Sequence, residues 1–167
     1  MPAWQLLRTR AKPNHISLYQ HYLERCEALG IPGAEHAVAR QIVVDCLLMN
    51  EDRHLGNFGA VRWTDTLQYT EPASLFDTGS SLWVRAPTPL IQENAKATCK
   101  PFAASHGEQL QLVSDFRCLD ESKLEGLGDI VRDVLSGSAF IGAARCETIA
   151  RALEQRALLL RERICSR

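Results

Sequence analysis

Apolar positions in the first third of the chain recur at the spacing of two amphipathic helices. Residues 17–29 predict the first helix, with Ser17 as the N-cap and Gly30 as the stop. Residues 34–49 predict the second helix, since their apolar positions also follow helical spacing. This second helix is apolar on most of its faces, which is typical of a helix buried at the centre of a domain.

The pattern then changes to a short-strand pattern. Residues 58–63 and 66–70 predict two short strands joined by a turn, and residues 74–77, with the sequence SLFD, predict a third extended piece. Three prolines fall within residues 84–104, and they favour irregular structure there.

Helical patterns return in the last third of the chain. They cover residues 107–116, 121–135 and 146–164, and the last of these is the strongest. The middle helix should place one apolar stripe against the core, although two glycines weaken its first turns. The stripe consists of Leu124, Leu127, Val131 and Val134. The pattern as a whole predicts a single, mainly α domain over residues 1–167, with a small β-hairpin near its middle.

Composition and charge narrow the choice of partners and location. Apolar residues make up 46% and charged residues 23% of the 167, as in an ordinary globular protein. A net charge of −1 gives no indication of nucleic acid or of an anionic membrane surface as a partner. The sequence has neither a long apolar run nor the apolar core of a signal peptide. Its six scattered cysteines, with no CxxC pair, favour reduced thiols and a cytoplasmic location.

The stretch NEDRHLGNFG, directly after the predicted buried helix, carries the candidate chemistry. Asp52 and Asn57 lie five residues apart in it, and Asp77 follows at the end of the returning β segment. Since neighbouring strands lie about 5 Å apart, a hairpin could bring Asn57 and Asp77 together. Hard oxygen ligands of this kind suit Mg²⁺.

The order of these residues matches that of protein kinases. Those enzymes place a catalytic Asp five positions before an Asn, and follow it with a strand pair and a second Asp before Gly. Here Asp52 and Asn57 keep the interval, and residues 76–79, FDTG, supply the second element. In that chemistry Asp52 accepts or orients the proton of the acceptor hydroxyl, while Asn57 and Asp77 hold the metal.

The combination of DRHLGNFG and SLFDTGSSLW resembles the C-terminal domain of HipA-like serine/threonine kinases. The Asp-x-His-x-x-Asn loop of that family is matched by Asp52, His54 and Asn57, and its metal-binding Asp is matched by Asp77. The resemblance extends to HYLERCEALGIPGA and KPFAASHGEQLQLV, about two thirds of the chain. It implies a protein-kinase-like C-lobe that uses ATP and Mg²⁺ and a protein substrate. Lipid kinases share a related loop, so the loop alone does not fix the acceptor.

The sequence differs from those of kinases in the motifs that bind the nucleotide. It contains neither a GxGxxG loop nor a GxxxxGK[ST] motif. No β-rich segment with a nucleotide-binding Lys comes before the first predicted helix. We therefore expect the N-terminal lobe to be missing or to be supplied by a partner chain, and we assign no nucleotide-binding residue.

Other readings stay open at this point. The chain could be a non-catalytic, kinase-derived interaction or regulatory module, or a metal-dependent phosphoesterase that uses the same acidic residues. Three single residues in or near the site have simple structural interpretations. We expect His54 to be a structural hydrogen-bonder, Arg53 to be solvated, and Lys100 to be an exposed loop lysine.

Overall fold

The computed structural model describes residues 1–92 and 97–165. Within them the fold is mostly helical, with one two-stranded antiparallel sheet near the middle, as the sequence predicts. The helices are α1 (Ala3–Arg8), α2 (Leu18–Ala28), α3 (Ala34–Leu48), α4 (His106–Leu110), α5 (Leu127–Ser136) and α6 (Ala143–Cys165). The strands are β1 (Ala60–Arg62) and β2 (Tyr69–Pro72), and 3₁₀ turns lie at Thr88–Leu90, Phe116–Cys118 and Glu121–Leu124.

The first two predicted helices are confirmed as α2 and α3. The hydroxyl of Ser17 caps α2 by accepting from the backbone N–H of Gln20 at 3.0 Å. Helix α3 ends where Met49 adopts a left-handed conformation with φ of 58°. It is the central helix of the core, and its buried apolar residues come from several faces, as its sequence indicates. Those residues are Ala34, Val38, Ala39, Ile42, Val43, Cys46 and Leu47.

Helix α6 is the long C-terminal helix that the sequence predicts, and it packs against α3 and α5. Its buried stripe includes Ile149, Leu153 and Leu160. The buried Arg156 adds a polar link, because its Nε donates to the carbonyl of Cys46 at 2.6 Å. The end of α3 is therefore fixed to α6 close to the loop that carries the candidate chemistry.

Two of the predicted C-terminal helices are shorter than expected. The helix predicted over 121–135 is a 3₁₀ turn followed by α5, separated at Gly126, whose φ of 70° cannot continue a helix. Val134 is 68% exposed, so the predicted apolar stripe reaches the core only in its first part. The helix predicted over 107–116 is reduced to α4, which has a capping box formed by Ser105 and Glu108.

The hairpin pairs Ala60 with Pro72 and Val61 with Glu71, with an irregularity before Arg62. The prediction of a third extended piece at residues 74–77 is wrong, since the chain there has no regular structure. Asp77 has φ of 55°, which lies outside the extended region and prevents a strand from continuing.

The sequence did not indicate the role of the first four residues. Pro2 forms an isolated β-bridge with Gly59, and the N–H of Ala3 donates to the carbonyl of Phe58 at 2.8 Å. The N-terminal segment therefore lies directly beside the chain that leaves the candidate site.

Cys26, Cys46, Cys99 and Cys146 are buried thiols, in agreement with the prediction for these four positions. Of the helices in the two described ranges, none combines the length and the apolar character needed to cross a membrane.

Candidate active site

The candidate site lies in the loop that joins α3 to β1, and the packing of Arg53 organises it. Arg53 is fully buried, with 0% exposure. Its Nε and Nη2 donate to the two carboxylate oxygens of Asp45, on the last turn of α3, each at 2.8 Å. The amide of Asn50 donates to the same carboxylate at 2.8 Å. The expectation that Arg53 is solvated is wrong, because the buried carboxylate of Asp45 needs a buried positive partner.

The remaining nitrogen of Arg53 joins two separate segments. Its Nη1 donates to the carbonyl of Asn57 at 2.9 Å and also to the carbonyl of Phe76. Both carbonyl oxygens therefore lie within hydrogen-bonding distance of one atom. Since Asp77 follows Phe76 directly, the Arg53 guanidinium brings the backbone of the DTG turn to the backbone of Asn57. That the two side chains share one metal ion stays a prediction.

Asn57 is buried, and its side chain is held by the loop itself. Its Nδ2 donates to the carbonyl of Asp52 at 3.4 Å, and its backbone N–H donates to the carbonyl of His54 at 2.9 Å. Because the amide nitrogen faces the loop, the amide oxygen is the atom of Asn57 that could coordinate a cation. The predicted interval of five residues thus corresponds to a closed turn in which Asp52 and Asn57 are in direct contact.

Asp77 is exposed and lies in the left-handed region of backbone space, with φ of 55°. Asp adopts this conformation more readily than most residues, because its short polar side chain can bond locally. Non-glycine residues in this region are uncommon and often occur at functional sites. An exposed carboxylate next to a fixed backbone carbonyl suits a ligand that enters from solvent.

Asp52 is the third predicted site residue, and its side chain is 34% exposed. Its Oδ1 accepts from the ammonium group of Lys100 at 2.8 Å. That hydrogen bond, together with the charge of Lys100 and smaller contributions from His54 and Arg85, lowers the pKa of the Asp52 carboxyl. Asp52 is therefore ionised at neutral pH, as a group that accepts a proton must be. The exposed Lys100 is paired, which its sequence context did not indicate.

His54 is exposed, and its Nδ1 accepts from the backbone N–H of Gly56 at 3.1 Å. This contact agrees with the structural role that the sequence predicts for it.

The donor set fits Mg²⁺. An amide oxygen from Asn57 and a carboxylate from Asp77 are hard ligands, and Mg²⁺ usually binds one or two carboxylates while keeping waters and phosphate oxygens. The described residues contain no cluster of three or more His, Cys, Asp and Glu side chains arranged around a metal. A dedicated zinc-type cage is therefore not found in the described part of the chain, whereas the sparser Mg²⁺ arrangement needs no such cluster.

The fold resembles that of a solved kinase. The chain superposes on the crystal structure of a Helicobacter pylori proinflammatory kinase, CtkA, with a TM-score of 0.64. The match covers 99% of this chain and 71% of that chain, at 18% sequence identity. No protein-family model and no curated protein sequence matches this chain significantly. At this identity the likeness shows a kinase-like fold and nothing about activity.

The sequence did not predict the two ion pairs that support the site, Arg53 with Asp45 and Lys100 with Asp52. The one signal for the Arg53 pair was Asp45, a lone acidic residue within the apolar run IVVDCLL. A charged residue on a helix that is apolar on most faces requires a partner. Lys100 gave no comparable signal, because it reaches Asp52 from 48 residues away.

Proposed function

We propose that this chain is the catalytic C-lobe of a HipA-like serine/threonine kinase, which transfers the γ-phosphoryl group of ATP to a hydroxyl group of a protein. The observation that carries the proposal is the guanidinium of Arg53. Its Nη1 joins the carbonyl of Asn57 to that of Phe76, and so connects the two segments that bear the proposed metal ligands. The kinase-like fold supports the same conclusion.

Each site residue has a distinct role in this proposal. Asp52 is ionised, and it accepts or orients the proton of the attacking hydroxyl. Asn57 and Asp77 hold Mg²⁺ by their side-chain oxygens. A Mg²⁺ ion held by these oxygens would neutralise the negative charge of the phosphoryl group. Arg53 does not contact substrate; it positions Asn57 and the DTG turn.

Binding of the rest of the nucleotide requires residues beyond those of the candidate site. The sequence contains neither a GxGxxG nor a GxxxxGK[ST] phosphate loop. We therefore propose that a β-rich N-lobe, supplied in the same polypeptide or by a partner chain, holds the rest of ATP.

The test is calorimetric titration of the full chain with ATP, with and without Mg²⁺, comparing wild type with Asp77→Asn. The variant loses a charged metal ligand on an exposed turn, so Mg²⁺-dependent nucleotide affinity should fall by at least about tenfold. The circular dichroism spectrum should not change. The matched control is Asp65→Asn, an exposed carboxylate at the hairpin turn, which should bind like wild type.

The outcomes separate the proposal from its rivals. Equal Mg²⁺-dependent affinity in wild type and Asp77→Asn contradicts the metal assignment. If wild type binds no Mg²⁺-ATP, alone or with a candidate partner chain, the non-catalytic module is favoured. Hydrolysis of bis(p-nitrophenyl) phosphate without ATP would point to the phosphoesterase instead.

A further inference from the structure

The ion pair between Lys100 and Asp52 contributes little to stability. The Lys100 side chain is 59% exposed and the Asp52 side chain is 34% exposed, so water screens their attraction. Exposed pairs of this kind are often worth nothing measurable. A structural role therefore does not explain why this ammonium group lies 2.8 Å from the Asp52 carboxylate.

The backbone that carries Lys100 is fixed even though its side chain is exposed. The buried Gln109 donates from its Nε2 to the carbonyl of Lys100 at 2.8 Å. The Oε1 of Gln109 accepts from the N–H of Phe102 at 3.3 Å. One buried amide thus holds the loop on both sides of Pro101.

The same loop packs against the loop of the candidate site. The Phe102 ring meets that of Phe58 with centroids 5.7 Å apart, and that of Tyr19 at 5.3 Å, both edge to face. Phe58 is the residue after Asn57, so the two loops share one aromatic cluster. The packed backbone therefore aims a long, rotatable ammonium group at Asp52.

Among the positive groups that act on Asp52, which include the exposed Arg85, Lys100 is the one whose charged group is hydrogen-bonded to the carboxylate. Arg53 is buried and engages Asp45 and two carbonyls, so its guanidinium is committed to the protein. Among the described residues, the ammonium group of Lys100 is hydrogen-bonded only to Asp52. A lysine ammonium is a flexible point charge and a common ligand of transferring phosphoryl groups.

We propose that Lys100 is a catalytic residue that pairs with Asp52 when the site is empty and binds the γ-phosphoryl group of ATP during transfer. This inference rests on the proposed function. In the step, the acceptor oxygen forms a bond to the γ-phosphorus while the bond from that phosphorus to the bridging oxygen breaks. ADP leaves with the electron pair, and the acceptor proton passes to the Asp52 carboxylate. Lys100 donates to an oxygen of the moving group and takes no part in the proton transfer.

The first test compares Lys100→Met with wild type, both as the full chain with Mg²⁺ and any partner needed for nucleotide binding. The probes are adenylyl imidodiphosphate, which has a γ-phosphoryl group, and ADP, which has none. The variant should bind the triphosphate analogue about 10- to 100-fold more weakly, the usual effect of one lost charge-assisted hydrogen bond. Its affinity for ADP should stay within about threefold of wild type, because the lost contact lies at the γ-position.

Two further variants separate a phosphate contact from a structural pair. Lys100→Arg keeps the charge and should recover part of the lost affinity. Asp52→Asn removes the competitor for Lys100, so it should strengthen binding of the triphosphate analogue, and this gain should shrink in the Lys100→Met background. Lys123→Met, at an exposed lysine on the 3₁₀ turn Glu121–Leu124, is the matched control. Thermal melting of Lys100→Met should stay within about 3 °C of wild type.

The two proposals fail in different ways. If wild type binds neither probe with Mg²⁺, both the kinase assignment and the role of Lys100 are overturned. If wild type binds both probes and Lys100→Met binds them equally well, the role of Lys100 alone is overturned. Equal losses for ADP and the triphosphate analogue also overturn it, because they show an effect that does not come from the γ-phosphoryl group.

Discussion

Replacing Arg53 by Met should cost the protein much of its stability, and the size of the loss follows from the contacts. The substitution leaves the Asp45 carboxylate buried with one remaining side-chain donor, the amide of Asn50. Removing one partner of a buried ion pair costs about 3–5 kcal/mol. The carbonyl of the buried Asn57 loses a donor at a cost of about 1 kcal/mol, whereas the half-exposed Phe76 can turn its carbonyl to water.

We therefore expect the free energy of unfolding of Arg53→Met to fall by about 4–6 kcal/mol, out of the about 5–15 kcal/mol that a domain has. Urea unfolding, followed by circular dichroism and by fluorescence of the buried Trp83, measures this change. The matched control is Arg117→Met. Its ion pair with Asp115 lies at the surface, with the arginine side chain 91% exposed, so the free energy of unfolding should not change measurably.

The double variant Asp45→Leu with Arg53→Met separates stability from function. Replacing a whole buried pair by apolar residues is often nearly neutral, so stability should return to within about 2 kcal/mol of wild type. Mg²⁺-dependent nucleotide binding should not return, because nothing then joins the carbonyls of Asn57 and Phe76. A loss below about 1 kcal/mol in Arg53→Met would refute the stability argument. Wild-type nucleotide affinity in the double variant would refute the positioning role of Arg53.

Two more predictions concern the parts of the fold that surround the site. Burial lowers the pKa of His106 to about 4. Between the ordinary pKa of 6.5 and about pH 4, the histidine binds a proton in the unfolded chain but not in the folded chain. The free energy of unfolding therefore decreases as the pH falls through this range. From pH 7 to pH 5 wild type should lose about 2 kcal/mol more than His106→Leu in urea unfolding; equal losses would show that His106 does not cause the dependence. A Cβ at Gly59 would lie 2.1 Å from the carbonyl oxygen of Met1. Gly59→Ala should therefore displace the N-terminal segment, speed hydrogen exchange at Ala3 and cost about 1–3 kcal/mol. Gly142→Ala has open space around its Cβ and serves as the control; unchanged exchange at Ala3 would contradict the proposed contact.

The parts of the fold that the sequence predicted are those set by neighbours along the chain. The capping hydroxyl of Ser17 and the periodic apolar residues of α2 and α3 lie within a few residues of the structure they cause. The sequence-based predictions are wrong where contacts with distant residues, and not the local pattern, set the backbone conformation. The segment at residues 74–77 has strand composition, yet the carbonyl of Phe76 bonds to Arg53 and Asp77 turns left-handed.

The candidate site divides in the same way. The five-residue interval between Asp52 and Asn57 is a property of one short loop, and the FDTG turn follows a short hairpin, so the sequence alone specified the order and the types of these side chains. Only the tertiary structure decided which charges support them. Arg53 is buried because α3, which carries Asp45, is the central helix of the core, and Lys100 reaches Asp52 because aromatic packing sets its loop against the site. Local spacing follows from the covalent chain, whereas the pairing of distant charges depends on which surfaces the folded core removes from water.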